Sequence, residues 1–414
     1  MSGNYPIKNY IMWILLSINM DVNKYMADVM EYNDRMIEIR RKIHENPELS
    51  YNEFQTAKLI AETLKSFNIE VKENVGGTGI VGLLMGTEGK TTIGLRADMD
   101  ALPVTEETGV AYASKNKGIM HACGHDTHVA MLLCAAYVLS KHRDELRGNI
   151  KFLFQPAEED GGRGGALPMI EAGALENPHV DHVFGLHILN DFPIGTIALK
   201  PGAEMACPDS LKVILHGRGG HGSDPANTID PIFIGTQIIN AIYGIRSRYI
   251  DQREPVTISI CSLHSGTKDN IIPDDLIMEG TIRTFNENVR LKIKKSINDM
   301  VKSISLAYGA TAEISFKNDA YPVTYNDPEI TGEVIKLLSG IRGIKVVDSG
   351  LLLGGEDVSR FLDKAPGTYY LLGTKNDAKG LIYSNHSSKF NVDEDYLKFG
   401  SLTHVDVAMY FANK

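Results

Sequence analysis

Cysteine is scarce: four residues in 414 (Cys123, Cys134, Cys207 and Cys261), none of them in a CxxC pair. So few thiols, so far apart, make no disulfide framework, and a reducing interior is expected. Basic charge is also short. Lys and Arg total 42 against 52 Asp and Glu, a formal net charge of −10, which argues against a nucleic-acid partner because phosphate binding needs a basic face. Long apolar runs are missing as well. The longest candidate, "NYIMWILLSINM", is too short to span a membrane, and no small-x-small cleavage site follows it. Residues 1–19 are therefore read as a flexible extension, with Met20 as a candidate start. Several catalytic signatures are absent too: GxxxxGK[ST], GxSxG, HExxH and the H-x-E…P-C-x-x-C pattern.

The chain is too long for one ordinary core, and two domains are expected. Residues 22–70 read as two helices split at Pro47, with apolar positions recurring at three and four. "GIVGLLMG", "TTIGLRADMD", "NIKFLFQ" and "VDHVFGLHI" then read as continuous apolar strands alternating with helices, the pattern of a doubly covered, mostly parallel α/β sheet. After residue 198 the order becomes β-α-β-β-α-β, a ferredoxin-like unit inserted into the α/β part. The expected division is 20–197 and 318–414 for the α/β domain and 198–317 for the insert.

One segment concentrates metal-binding chemistry. "GIMHACGHDTHVA" packs three histidines, a cysteine and an aspartate into eight positions. If 121–125 are extended, His121, Cys123 and His125 share a face. Cys123 and His125 then form a thiolate–imidazole pair suited to a zinc-like ion; the plainer alternative is a histidine-rich helix start capped by Asp126. "QPAEED" puts Glu158 and Glu159 at a strand end, pointing to different sides, so that one can bind metal while the other serves as general base. His187 and His386 also follow apolar strands, where open α/β sheets bind ligands. Asp98 and Asp100 in "RADMD" face one way and are placed to orient ligating histidines.

"HENPELS", "RADMDALP", "MHACGHDTHVAMLL", "FQPAEE", "GGHGS", "GTKDNIIPD", "GTIRTF" and "NHSSKF" occur in this order across nearly the whole chain. Together they resemble the aminoacylase/carboxypeptidase family of co-catalytic metallopeptidases, in the branch that holds hippurate hydrolases, auxin-conjugate amidohydrolases and thermostable archaeal zinc carboxypeptidases. The resemblance implies two divalent ions per subunit, zinc first, with Mn, Co or Ni as alternatives. It implies Cys123, His125, Glu159, His187 and His386 as ligands, Cys123 as their bridge, and Glu158 as general base. The insert is implied to be a lid that also makes a homodimer or homotetramer. On it, His221 would stabilise the oxyanion, while Asn270 and Arg283 would bind substrate. At Asp98 many relatives outside this branch carry a metal-binding histidine, which leaves the coordination number open.

The expectation is therefore a cytoplasmic, metal-dependent amidohydrolase that releases a C-terminal amino acid from peptides or N-acyl amino acids, with no nucleic-acid or membrane partner. The competing classes are a non-catalytic metal- or peptide-binding protein on the same fold and a phosphohydrolase. Glu158 speaks against the first, because a binding protein needs no base beside the ligand Glu159. The shortage of basic residues near the site speaks against the second.

Overall fold

A computed structural model describes residues 23–316 and 321–414. The expected extension 1–19, the candidate start Met20 and residue 317, where the insert was expected to end, lie outside that range. Two units separate. One comprises residues 23–202 with Tyr325–Gly350 and Arg360–Lys414; the other comprises Ala203–Thr324 and Leu351–Ser359.

Along the chain the main elements are α1 (Met26–Glu45), α2 (Phe54–Ser66), β1 (Glu70–Lys72), β2 (Ile80–Leu84), β3 (Thr92–Asp98), α3 (His125–Lys141), β4 (Asn149–Gln155), β5 (His182–Pro193) and β6 (Thr196–Ala198). The second unit adds β7 (Cys207–His216), β8 (Gly220–His221), α4 (Pro231–Arg248), β9 (Val256–Ser265), β10 (Ile271–Ile272), β11 (Asp275–Thr284), α5 (Glu287–Ala307) and β12 (Thr311–Phe316). The first unit resumes with α6 (Pro328–Leu338), β13 (Lys345–Val347), β14 (Thr368–Lys375) and α7 (Leu397–Ala412).

The first unit is built on one eight-stranded sheet ordered β1-β2-β4-β3-β5-β14-β6-β13. Its centre, β4-β3-β5-β14, is parallel throughout, and every residue of β3 and β4 is buried. Continuous burial is what a sheet covered on both faces demands, and it explains why these strands show no polar alternation. Helix α1 buries Val29, Met36, Ile39 and Ile43, a stripe of helical period, and ends at Glu45 ahead of Pro47. Helix α3 is buried on all sides from His125 to Ala136, as befits a helix in the interior of its unit.

The second unit is an antiparallel sheet ordered β9-β11-β7-β12. Leu211, Val213 and Leu215 on β7 alternate inward, onto Ile234, Ile238, Ile242 and Ile245 of α4 and Ile293, Ile297 and Val301 of α5. Lys212 and Glu279 pair on the open face. The two-residue period of β7 is that of a sheet with one solvated side. This unit starts at Ala203, after β6, because Thr196–Ala198 pairs with β13 in the large sheet.

Candidate metal centre

The site in the first unit is assembled from loops that leave the sheet and from the start of α3. Residues 121–123 are not a strand, and α3 begins at His125 rather than near Thr127. What turns Cys123 and His125 toward one point is Gly124, left-handed at φ 95°. A Cβ there would lie 2.3 Å from Ile188 Cδ1, so the turn and the close packing both require glycine. Gly124→Ala is expected to cost at least about 1–3 kcal/mol, measured by denaturant unfolding; an unchanged midpoint would remove this account of the turn.

Cys123 Sγ lies 3.3 Å from His187 Nε2 and 3.4 Å from His386 Nε2. Glu159 Oε1 lies 3.3 Å from His386 Nε2 and 4.0 Å from His125 Nε2. Asp98 Oδ2 is 3.6 Å from His125 Nε2. Candidate ligand atoms of Asp98, His125, His128 and His187 fall within 4.8 Å of one another, as do those of Cys123, Glu159 and His386, and those of His125, Glu158 and Glu159. Among the described residues, buried His125 Nε2 and Glu159 Oε1 have no hydrogen-bond partner. Such orphaned atoms, facing a thiol and two imidazoles, are what divalent cations would satisfy.

Electrostatics agree. Burial, reinforced by Glu159, Glu158 and Asp98, pushes the Cys123 thiol well above its ordinary range; a cation at the site reverses that pressure. Burial disfavours a charged His125, yet Asp98, Asp100 and Glu159 raise it to about 10. Burial, with His128 beside it, holds His187 well below the usual imidazole value. Burial opposes ionisation of Asp98, but Arg96, His125 and His128 hold its carboxyl well below the usual range.

The supporting contacts are specific. Asp100 meets His125 Nδ1 through its carbonyl (2.9 Å) and Oδ1 (3.2 Å). Its carboxylate also accepts from the backbone N–H of Glu158 (3.1 Å) and Glu159 (3.0 Å) and from Ser50 Oγ (2.7 Å). One aspartate thereby fixes His125 and both glutamates. Asp98 is bound by Arg96 Nη1 at 2.6 Å and His128 Nδ1 at 2.5 Å.

Two residues of the GIMHACGHDTHVA segment reach remote partners. Asp126 does not cap α3, whose N-cap is Gly124 with no side-chain bond. It is buried and ion-paired with Arg40 Nε and His44 Nδ1, both at 2.8 Å. His128 is more than packing: it joins Asp98 to the Ile188 N–H, whose bond to Nε2 is 2.9 Å. The sequence signal for His128 was its i+3 spacing from His125, which puts both on one helix face. His121 is buried, its ring pushed down to about 3 by burial, and neither of its nitrogens has a hydrogen-bond partner among the described residues.

The first unit thus brings together Asp98, Asp100, Cys123, His125, Glu158, Glu159, His187 and His386. His221, Asn270 and Arg283 belong to the second unit. There His221 pairs with Ile271, its Nδ1 lies 2.7 Å from Ser223 Oγ, and the Asn270 carbonyl accepts from Gly222 N–H at 2.8 Å. Arg283 Nε donates to the Leu353 carbonyl at 3.1 Å.

Comparison with known proteins fits this centre. The family model described as Peptidase family M20/M25/M40 matches residues 94–409. The chain belongs to this family. The family's relatives include thermostable carboxypeptidase 2 of Saccharolobus solfataricus, 58% identical over 394 residues that cover 95% of this chain and 99% of that one. An N-acyl-L-amino acid amidohydrolase of Geobacillus stearothermophilus is 40% identical over 81% of this chain and 89% of its own length. Among solved structures, a dinuclear metal-binding family peptidase of Bacillus subtilis superposes with a TM-score of 0.80 at 34% identity, covering 92% of this chain and 99% of that one. No helix among the described residues is long and apolar enough to cross a membrane.

Proposed function

We propose that this protein is a metal-dependent amidohydrolase that releases a C-terminal amino acid from peptides and N-acyl amino acids. The observation that carries the reading is the convergence of Cys123, His125, Glu159, His187 and His386 around orphaned buried donor atoms, with a second glutamate, Glu158, beside them. The carboxypeptidase and N-acyl-amino-acid amidohydrolase relatives support the substrate class.

Cys123, His125, Glu159, His187 and His386 would hold two divalent ions. Cys123, in reach of both His187 and His386, would hold the ions together with them. A thiolate–imidazole–carboxylate set favours zinc, with Mn, Co and Ni as alternatives. Bound ions supply Lewis-acid polarisation of the amide carbonyl and acidify the attacking water. Glu158 takes the proton of that water and delivers it to the leaving nitrogen. Asp100 holds the Glu158 backbone in place for this exchange. Asp98, its oxygens engaged by Arg96 and His128, orients the histidines rather than binding.

The second unit is assigned as the lid. From it His221 would donate to the oxygen on which charge develops, and Asn270 and Arg283 would bind substrate, Arg283 through the free carboxylate. The same unit is the proposed contact of a homodimer or homotetramer, and the cytoplasm the proposed location. Arg283→Ala is expected to raise KM more for substrates with a free carboxylate than for their amides. Equal effects on both would refute the assignment.

The function itself is tested by assaying chelated protein, with each metal added back, on a panel of N-acyl amino acids, short peptides and their C-terminal amides. Release of the C-terminal residue that depends on added metal is expected. Metal-independent turnover, or none on any member of the panel, would overturn the reading.

A further inference from the structure

Three segments that bear candidate ligands meet at one side chain that no ligand pattern singles out. Asn385 Nδ2 donates to the Cys123 carbonyl at 2.9 Å and to the Ile188 carbonyl at 3.2 Å, and its Oδ1 accepts from Asn190 N–H at 3.2 Å. The Ile188 carbonyl it reaches is the one that His187 Nδ1 meets at 2.5 Å. The Ile188 N–H, in turn, is bound to His128 and through it to Asp98. The next residue, His386, is left-handed at φ 70°, a strained conformation for a non-glycine residue that persists only where its surroundings hold it. Its own N–H is pinned to the Ala122 carbonyl at 2.8 Å. Asn190, for its part, is buried and donates from Nδ2 to the Tyr383 carbonyl at 2.5 Å.

The geometry points to Asn385 as a positioning residue: its amide ties the Cys123 loop, the Ile188 peptide that orients His187, and the strained His386 backbone into one frame. Without it, the Cys123 and His386 segments keep the His386 N–H bond to the Ala122 carbonyl but lose the link that the amide makes from both to the Ile188 peptide. Among the described residues Asn385 makes no hydrogen bond to a candidate ligand side chain, so its effect falls on where those side chains point. The group of Cys123, Glu159 and His386 depends on this frame most. His125 is held independently, by Asp100. Removing the amide therefore weakens metal binding, most at the group of Cys123, Glu159 and His386. Supporting partners of this kind are typically worth about 10–100-fold in metal affinity.

The inference rests on the metal-centre reading proposed above, and the experiment separates the two. Metal-free wild type, Asn385→Leu and Asn385→Asp are titrated with Co²⁺, followed by visible absorption, and the unfolding midpoint of each metal-free protein is recorded. The aspartate keeps the shape of the side chain and removes its donors. Wild type is expected to take up two equivalents. Both variants should bind at least one equivalent about 10–100-fold more weakly than wild type does, with metal-free midpoints within a few degrees of wild type. Two equivalents bound as tightly in both variants as in wild type would overturn the role of Asn385 and leave the metal centre standing. So would a uniform weakening of both equivalents alongside a lowered metal-free midpoint. A wild-type protein that takes up no Co²⁺ would sink the metal reading and this inference with it.

Discussion

Glu158→Gln is expected to retain both metal ions and lose at least about 100-fold in turnover, the usual scale of general acid–base catalysis. The substitution removes a proton acceptor and changes almost nothing in shape. The backbone around it is well fixed. Ala157 is left-handed at φ 53°, its N–H held at 2.9 Å by the buried Glu53, and Glu158 N–H is held by Asp100. The glutamine side chain should therefore occupy the same place, and the loss should appear in kcat rather than in metal content. Metal analysis of the purified variant and steady-state kinetics on one peptide decide the matter. Near-normal turnover with both ions present would remove Glu158 from the mechanism.

The largest stability effect is expected from Arg40→Met. Arg40 and Asp126 are 1% and 0% exposed and ion-paired at 2.8 Å. The methionine fills much of the space and leaves Asp126 with His44 as its one ion-pair partner among the described residues. Breaking a buried pair from one side costs about 3–5 kcal/mol, read as a shift of the denaturant midpoint at constant slope. A shift worth under about 1 kcal/mol would show that the pair is dispensable. Arg40→Met combined with Asp126→Leu should recover much of the loss, because no buried charge is then stranded.

The same cluster sets a pH window. Burial would raise the Asp126 carboxyl, but Arg40 and His44 hold it far below the usual range. Its folded value is depressed, so its contribution is present above the ordinary aspartate value of about 4 and is lost as pH falls. His44 behaves oppositely. Burial and Arg40 disfavour its charge, yet Asp126 and Glu106 raise it above the ordinary value. Its contribution is complete below about 6.5 and fades as pH rises past the raised folded value.

Much of this was legible in sequence where the signal is local. The β-α-β-β-α-β order of the second unit follows from short-range periodicity, and each strand pairs with an antiparallel neighbour. The order of the large sheet was not legible, because β5 and β14 pair in parallel although 184 positions separate the partners Phe184 and Thr368 (368 − 184). At the site, the chemically conspicuous residues stood out by type and by their place after strands. What escaped was conformation and remote partnership. Gly124 reads as an ordinary turn glycine until Ile188 is seen beneath it. Asp126 looks like a helix cap because its neighbours in sequence suggest one, whereas its partner His44 is 82 residues away. Asn385 is an unremarkable amide until three backbone segments converge on it.

The spread of the cluster along the chain has a consequence for biosynthesis. From Cys123 to His386 the candidate ligands span 263 positions (386 − 123). On the proposed ligand set, the centre lacks a complete set of donors until His386 has been synthesised. A chain cut before the His386 loop is therefore expected to bind metal less completely than the whole chain, however well its earlier residues fold.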